Sequence, residues 1–200
     1  MLTHLNVDKV KQHGFSLVEM LIAMAISSLV CISAMSALPM LFKQTYRSYF
    51  QYQLDRDVRH VLLNMEKDFR RIGYCGNKYC EGEPIKITSK LFSQENNSCI
   101  IFAYDQDLSG KWVDRKPKVV DTDYFGYRFN NGKLESNRNV SHCDGTRWQS
   151  LFDANLINVK KLAFSWLEAS QLLEMVMSLE TKLLPNHTFN YRILVLVRNL

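Results

Sequence analysis

The sequence contains no block of like charge. Its formal net charge is +5 over 200 residues, and from Lys43 to Arg71 the basic residues are interleaved with aspartates and glutamates. A nucleic-acid face needs basic residues gathered on one side. The scatter reads instead as a solvated surface, with no nucleic-acid partner. Catalytic motifs are missing as well: the sequence has no nucleophile motif, no phosphate loop and no paired-histidine metal signature. The histidines His4, His13, His60, His142 and His187 stand apart from one another. His142-Cys143 invites a nucleophile reading, but companion cysteines make a disulfide the better account. A non-enzymatic protein without a cofactor is therefore expected. The rivals of another class are a membrane-anchored periplasmic hydrolase or a binding module. No repeat or low-complexity stretch occurs, and the length suits one domain of ordinary size.

Against this even background one segment stands out. Phe15 to Phe42 is a run of 28 residues with a single charge, Glu19. About 20 apolar residues cross a bilayer, so the run is long enough to span. It is too long for the apolar region of a secretory signal, about 7–15 residues, although Ala34-Met35-Ser36 has the look of a cleavage site. Leu29 and Val30 before Cys31 do not fit a lipoprotein signal. Lys9 and Lys11 precede the run and favour a cytoplasmic N-terminus. Lysine and arginine also follow it, so the polar remainder is placed outside mainly by its cysteines.

Glu19 is the costly residue. A carboxylate near the apolar core of a bilayer costs several kcal/mol, roughly 2.5–3.5 on insertion scales for comparable charges. The run contains no lysine, arginine or histidine to pair with it. Were the chain cut after Gly14, the new amine of Phe15 would lie one helical turn away. That amine pairs naturally with a glutamate of the same helix or of a neighbour.

Cys31 lies within the run and reads as a small apolar residue. Cys75, Cys80, Cys99 and Cys143 fall in the polar remainder. An even number there suits two disulfides and an oxidising compartment, and four cysteines allow three pairings. A four-cysteine zinc site is the weaker alternative, because only Cys75 and Cys80 are closely spaced.

Beyond the run, Leu54, Val58, Val61, Met65, Phe69 and Ile72 recur at steps of three and four, the stripe of an amphipathic helix. Gly73 is its expected stop. One helix is thus predicted from Phe15 to Ile72, bent or locally melted at Pro39. Ser27, Ser28, Ser33 and Ser36 can bond its carbonyls. After Gly73 the texture becomes β. Strands are predicted at Ser98–Tyr104, Tyr124–Phe129, Lys133–Glu135, Val159–Leu167 and Asn190–Val197, with a hairpin turning at Asn131-Gly132. The stretch from Ala169 to Lys182 reads as either a short helix or an excursion linked to the strands.

Gly14-Phe15-Ser16-Leu17-Val18-Glu19 resembles the processing site of type IV prepilins and of type II secretion pseudopilins. The head narrows the resemblance. Arg71-Ile72-Gly73-Tyr74-Cys75 with Cys80, then Cys99 opening a strand and Cys143 beyond the hairpin, is similar to the prepilin peptidase-dependent protein B group. That group is related to J-type pseudopilins and W-type minor pilins. The likeness runs in order from Gly14 to about Trp148, and residues 171–186 match no pattern of the group.

The resemblance implies cleavage between Gly14 and Phe15 by prepilin peptidase, N-methylation of Phe15, and a role for Glu19 in assembly. It implies the pairs Cys75–Cys80 and Cys99–Cys143. The fold it implies is α+β and pilin-like, a long helix packed on an antiparallel sheet. In that division residues 1–14 are a leader, 15–42 a transmembrane half-helix, 43–73 an amphipathic half-helix and 74–200 a periplasmic head. The implied place is the inner membrane, single-pass, and afterwards a pilus or pseudopilus. The implied partners are other minor pilins or pseudopilins, the major pilin and the inner-membrane assembly platform. The function expected is that of a minor pilin priming or tipping a type IV pilus, with a J-type pseudopilin of type II secretion as the runner-up.

One ligand motif remains. Asp105-Gln106-Asp107-Leu108-Ser109-Gly110 begins like a calcium loop, with Asp105, Asp107 and Ser109 as the candidate ligands. Its twelfth position is Lys116, which cannot coordinate, and Asp114 is the available substitute. A polar turn is the preferred reading, so no metal is expected.

Overall fold

A computed structural model describes residues 14–76, 79–88, 96–115 and 120–200. The chain divides into two units, one reaching Ser48 and the other running from Tyr49 to Leu200. A single helix, α1 (Leu17–Phe69), contributes to both.

The local melting expected at Pro39 does not occur, because α1 runs unbroken through it. The pyrrolidine ring removes one bond, to the carbonyl of Met35, and the bonds on either side hold the helix. The predicted stripe is the buried face of the second half of α1. Leu54, Val58, Met65, Phe69 and Ile72 are buried and Val61 is partly so. The helix ends three residues before Ile72. There Arg71, Ile72 and Tyr74 donate to Asp68, Phe69 and Arg71, so the last turn tightens from i→i+4 to i→i+3 bonding.

Gly73 follows at φ +81°. A Cβ there would lie 2.6 Å from the Asn199 carbonyl oxygen and 2.6 Å from the Leu200 side chain, so only glycine fits. The Asn199 side-chain amide also donates to the Ile72 and Arg70 carbonyls at 3.2 and 3.4 Å, closing the open end of the helix.

The remainder of the second unit is β. Its strands are β1 (Ile85–Thr88), β2 (Cys99–Ala103), β3 (Val113–Arg115), β4 (Val120–Thr122), β5 (Tyr124–Asn130), β6 (Lys133–Arg138), β7 (Gln149–Ser150), β8 (Ile157–Leu167), β9 (Leu172–Thr181) and β10 (Leu184–Leu196). All pairings among the described residues are antiparallel, and with the long N-terminal helix they give the α+β, pilin-like architecture expected. The single sheet expected is in fact divided. A five-stranded sheet has the order β1-β2-β5-β6-β7, a three-stranded sheet the order β10-β9-β8, and β3 pairs β4 in a small ribbon.

The β5–β6 hairpin turns at Asn131 (φ +46°) and Gly132 (φ +77°), the consecutive positive angles of a type I′ turn. The stretch left open between helix and strand is strand β9, after a short 3₁₀ turn at Glu168–Ser170. Leu173, Met175, Met177 and Leu179 are buried, and their neighbours Glu174, Val176, Ser178 and Glu180 are half-exposed. That is the two-residue period of a strand.

The core of this unit lies between the helix stripe and the two larger sheets. Phe69 sits at its centre, meeting Phe102, Tyr127 and Phe164 edge-to-face at centroid distances of 5.7, 5.8 and 6.2 Å. Such contacts contribute roughly 0.5–1.5 kcal/mol each beyond the area they bury.

Candidate functional site

Gly14, Phe15 and Ser16 precede α1 and belong to no helix or strand. All three are exposed, Phe15 at 84 %. A Cβ added at Gly14 would meet nothing within 4 Å, so packing within the chain does not require glycine there. Lys9, Lys11 and the rest of 1–13 lie outside the described residues.

The structure gives Glu19 a partner that the composition of the helix did not offer. Its Oε2 accepts the backbone N–H of Ser16 at 2.9 Å. Ser16 stands just before the first helical residue, and Ser-x-x-Glu is the pattern of a capping box. The carboxylate therefore satisfies one of the open N–H groups at the start of α1 and faces the positive end of its dipole. It does so with a neutral amide, in the uncut chain.

From Leu17 onward α1 is long and apolar enough to cross a membrane, and none of its apolar stretch is buried within the chain. Four serines of this apolar stretch bond the helix's own carbonyls. Ser27, Ser28, Ser33 and Ser36 donate to the carbonyls of Met24, Ala25, Leu29 and Ser33 at 2.7–3.0 Å. Each hydroxyl is thus satisfied within the helix. Cys31 is a free, exposed thiol in the same stretch.

In the second unit, Cys75 is bonded to Cys80 and Cys99 to Cys143. The first bridge closes a small loop just past the exit of α1. The second ties the start of β2 to the loop beyond β6. Beside it, Arg128 and Glu135 form a buried ion pair at 2.8 Å. The guanidinium of Arg128 also donates to the Cys143 carbonyl at 2.6 Å and lies 4.3 Å from the centre of the Trp148 ring.

The candidate calcium ligands form a self-fastened loop. Asp105 is buried, and its carboxylate accepts the N–H groups of Gly76, Ser109 and Gly110 at 2.8–3.0 Å. Asp107 also accepts the Ser109 N–H, and Asp123 accepts that of Gln106. The Ser109 hydroxyl donates to the Lys111 carbonyl. The three carboxylates approach within 4.8 Å of one another. Hydrogen bonds from Ser109 hold Asp107 below the usual carboxylate range, while burial pushes Asp123 above it. Lys116 and the side chain of Asp114 lie outside the described residues. Through Asp105 the loop ties Gly76, between Cys75 and Cys80, to the end of β2.

Two further networks had no signal in the sequence. Asp68, on the helix, accepts Tyr127 Oη at 2.7 Å and Tyr104 Oη at 3.3 Å. Burial first, and then the Asp68 charge, raise the hydroxyl of Tyr127 far above its ordinary range. Asp55 likewise accepts Tyr191 Oη at 3.5 Å. Ser141 Oγ meets His142 Nδ1 at 2.9 Å, a contact between exposed chain neighbours. Only the topology brings Asp68 to Tyr104 and Tyr127, 36 and 59 residues away in sequence, and Asp55 to Tyr191, 136 residues away.

The family described as prepilin peptidase-dependent protein B matches residues 47–199. The prokaryotic N-terminal methylation motif matches residues 9–35. Prepilin peptidase-dependent protein B of Escherichia coli (strain K12) is 33% identical over 148 residues, 74% of each chain. No solved structure matches the chain.

Proposed function

We infer that this chain, which belongs to the prepilin peptidase-dependent protein B family, acts as a minor pilin in priming or tipping a type IV pilus. It is a pilin-type protein whose motif calls for prepilin peptidase. The observation that carries the reading is the placement of Gly14–Phe15. This peptide bond is exposed, lies outside any helix or strand, and is followed at once by a capped apolar helix of spanning length. A peptidase must seat extended backbone in its site, and a bond in the third turn of a helix would first have to be unwound.

Processing then proceeds in two steps. Water cleaves the Gly14–Phe15 bond, leaving a carboxylate on Gly14 and a free amine on Phe15, and residues 1–14 depart as the leader. A methyl donor then alkylates that amine, which remains protonated. The flexible backbone of Gly14 serves the enzyme's site, since nothing in the chain itself crowds the position. Phe15 to Phe42 anchor the protein in the inner membrane, with the N-terminus cytoplasmic. Residues 43–73 support the head with the helix stripe, and 74–200 form that head in the periplasm, where its two disulfides persist. In the fibre, Glu19 receives a methylated amine in an apolar setting. Its partners are prepilin peptidase, other minor pilins, the major pilin and the inner-membrane assembly platform. The protein binds and assembles, without catalysis of its own.

The test compares two variants in cells that make the pilus. Gly14→Glu is expected to accumulate at precursor mass, and normal processing of it would refute the cut site. Glu19→Gln is expected to be cut normally but to co-purify poorly with other pilin subunits. Normal co-purification would refute the role of the carboxylate.

A further inference from the structure

The apolar run is about eight residues longer than the roughly 20 that a hydrocarbon core of about 30 Å requires. Several seats in the bilayer are therefore open to it, and they differ in where they put Glu19. Apolar content alone does not choose among them. Sliding the seat from 15–34 to 22–41 exchanges Phe15, Leu17, Val18, Met20 and Leu21 for Met35, Ala37, Leu38, Met40 and Leu41, all exposed.

The polar and aromatic residues do choose. Phe42 closes the run, and Lys43, Tyr46 and Arg47 follow it, all exposed. Phe42 and Tyr46, like Lys43 and Arg47, stand one helical turn apart. Aromatic rings and long basic side chains are the residues that collect at the membrane–water boundary. There the rings lie among the headgroups and the cations extend to water along their apolar stems.

We propose that Phe42, Lys43, Tyr46 and Arg47 form an interfacial belt that seats residues 22–41 in the hydrocarbon and leaves Glu19 in the opposite headgroup layer. This rests on the membrane-spanning reading above. With that seat, Tyr46 lies about 7 Å beyond one edge of the core and Glu19 about 4–5 Å beyond the other, both within headgroup layers some 5–7 Å thick. A seat at residues 15–34 would instead place Glu19 about 6 Å inside the hydrocarbon and Tyr46 about 18 Å outside it, in water. Glu19 and the belt thus favour the same register.

The consequence concerns timing. While the subunit is in the bilayer, Glu19 rests in a polar layer, capped by the Ser16 N–H. The Gly14–Phe15 bond stands further out, at the surface where a peptidase can reach it. The carboxylate enters an apolar environment only when the subunit leaves the bilayer, so its need for a cation arises at assembly.

Cys31, the free thiol among the described cysteines, supplies the probe. It falls at the midpoint of residues 22–41, about 1 Å from the bilayer centre, and about 10 Å from the centre of a 15–34 seat. The full-length protein, labelled at Cys31 with a thiol-reactive fluorophore, is reconstituted in vesicles of phosphatidylethanolamine and phosphatidylglycerol. Nitroxide lipids carrying the quencher at graded depths then report the label's position. Strongest quenching from the deepest nitroxide is the expected result. Strongest quenching from a nitroxide about 10 Å shallower overturns the seat. Quenching by aqueous iodide instead would show that the run does not span at all, a distinguishable failure of the anchoring itself. Phe42→Ser with Tyr46→Ser is expected to move the label by several ångströms, and an unmoved label would refute the belt.

Discussion

The two halves of α1 have the same backbone and opposite surroundings. From Leu17 to Phe42 the helix is apolar but for Glu19, and none of its residues is buried by the chain. From Leu54 to Phe69 it is mostly polar, yet Val58, Met65 and Phe69 are wholly buried. Hydrophobicity therefore does not say which part of this helix belongs to the folded core. On the reading proposed above, the first half is completed by a membrane or a neighbouring helix. The second half is completed by the chain's own sheets.

Substitution should separate the halves most sharply at single apolar positions. Phe69→Ala, which removes the ring at the centre of three aromatic contacts, is expected to destabilise the head by about 3–5 kcal/mol. Leu29→Ala removes as conspicuous an apolar group and should leave head stability unchanged. Thermal denaturation of both variants in detergent checks this. A comparable loss from Leu29→Ala would mean that the first half also supports the fold.

Next in size are the bridges, which sharpen the picture within the head. Replacing Cys99 and Cys143 by alanine opens a link spanning 44 residues. The expected loss is about 4 kcal/mol in the chain-entropy model. Removing Cys75 and Cys80, only 5 residues apart, should cost about 2 kcal/mol by the same reasoning. Equal losses in urea denaturation would show that local packing, not loop closure, sets the effect.

The smallest effect is one of pH. Tyr191 is pushed up to about 12 by burial and then by the Asp55 charge. Its folded value lies above the unfolded one, so its contribution to stability is complete below about pH 10. It is lost as pH rises toward 12. Head stability should fall across that window, and Tyr191→Phe should shallow the fall. An unchanged slope in that variant would remove Tyr191 from the account.

What the sequence made legible follows the same division. The stripe from Leu54 to Ile72 could be read because helical period and burial coincide there. The Asn131-Gly132 turn could be read because consecutive positive φ angles restrict the residue types so strongly. Residues 172–181 were harder. Leu172-Leu173 and Met175-Val176-Met177 blur the alternation, and only the burial of every second residue shows the strand.

The division into two larger sheets and a ribbon was not legible, since it depends on which strands neighbour one another in space. In the candidate site, the Gly14–Glu19 pattern is visible in the letters alone. The capping of the Ser16 N–H by Glu19 is not, because it requires knowing that the helix begins at Leu17. Cysteine spacing left three pairings open, and Asp68 gave no hint of Tyr127.

The central claim is that this chain enters a fibre through a processed N-terminus. Its most direct test is the N-terminal sequence and mass of the protein recovered from the membranes of cells that make the pilus. The account predicts a chain beginning at Phe15 and carrying one methyl group on its α-amine. A chain beginning at Met1, or at any residue near Ala37 where a signal peptidase would cut, would contradict it.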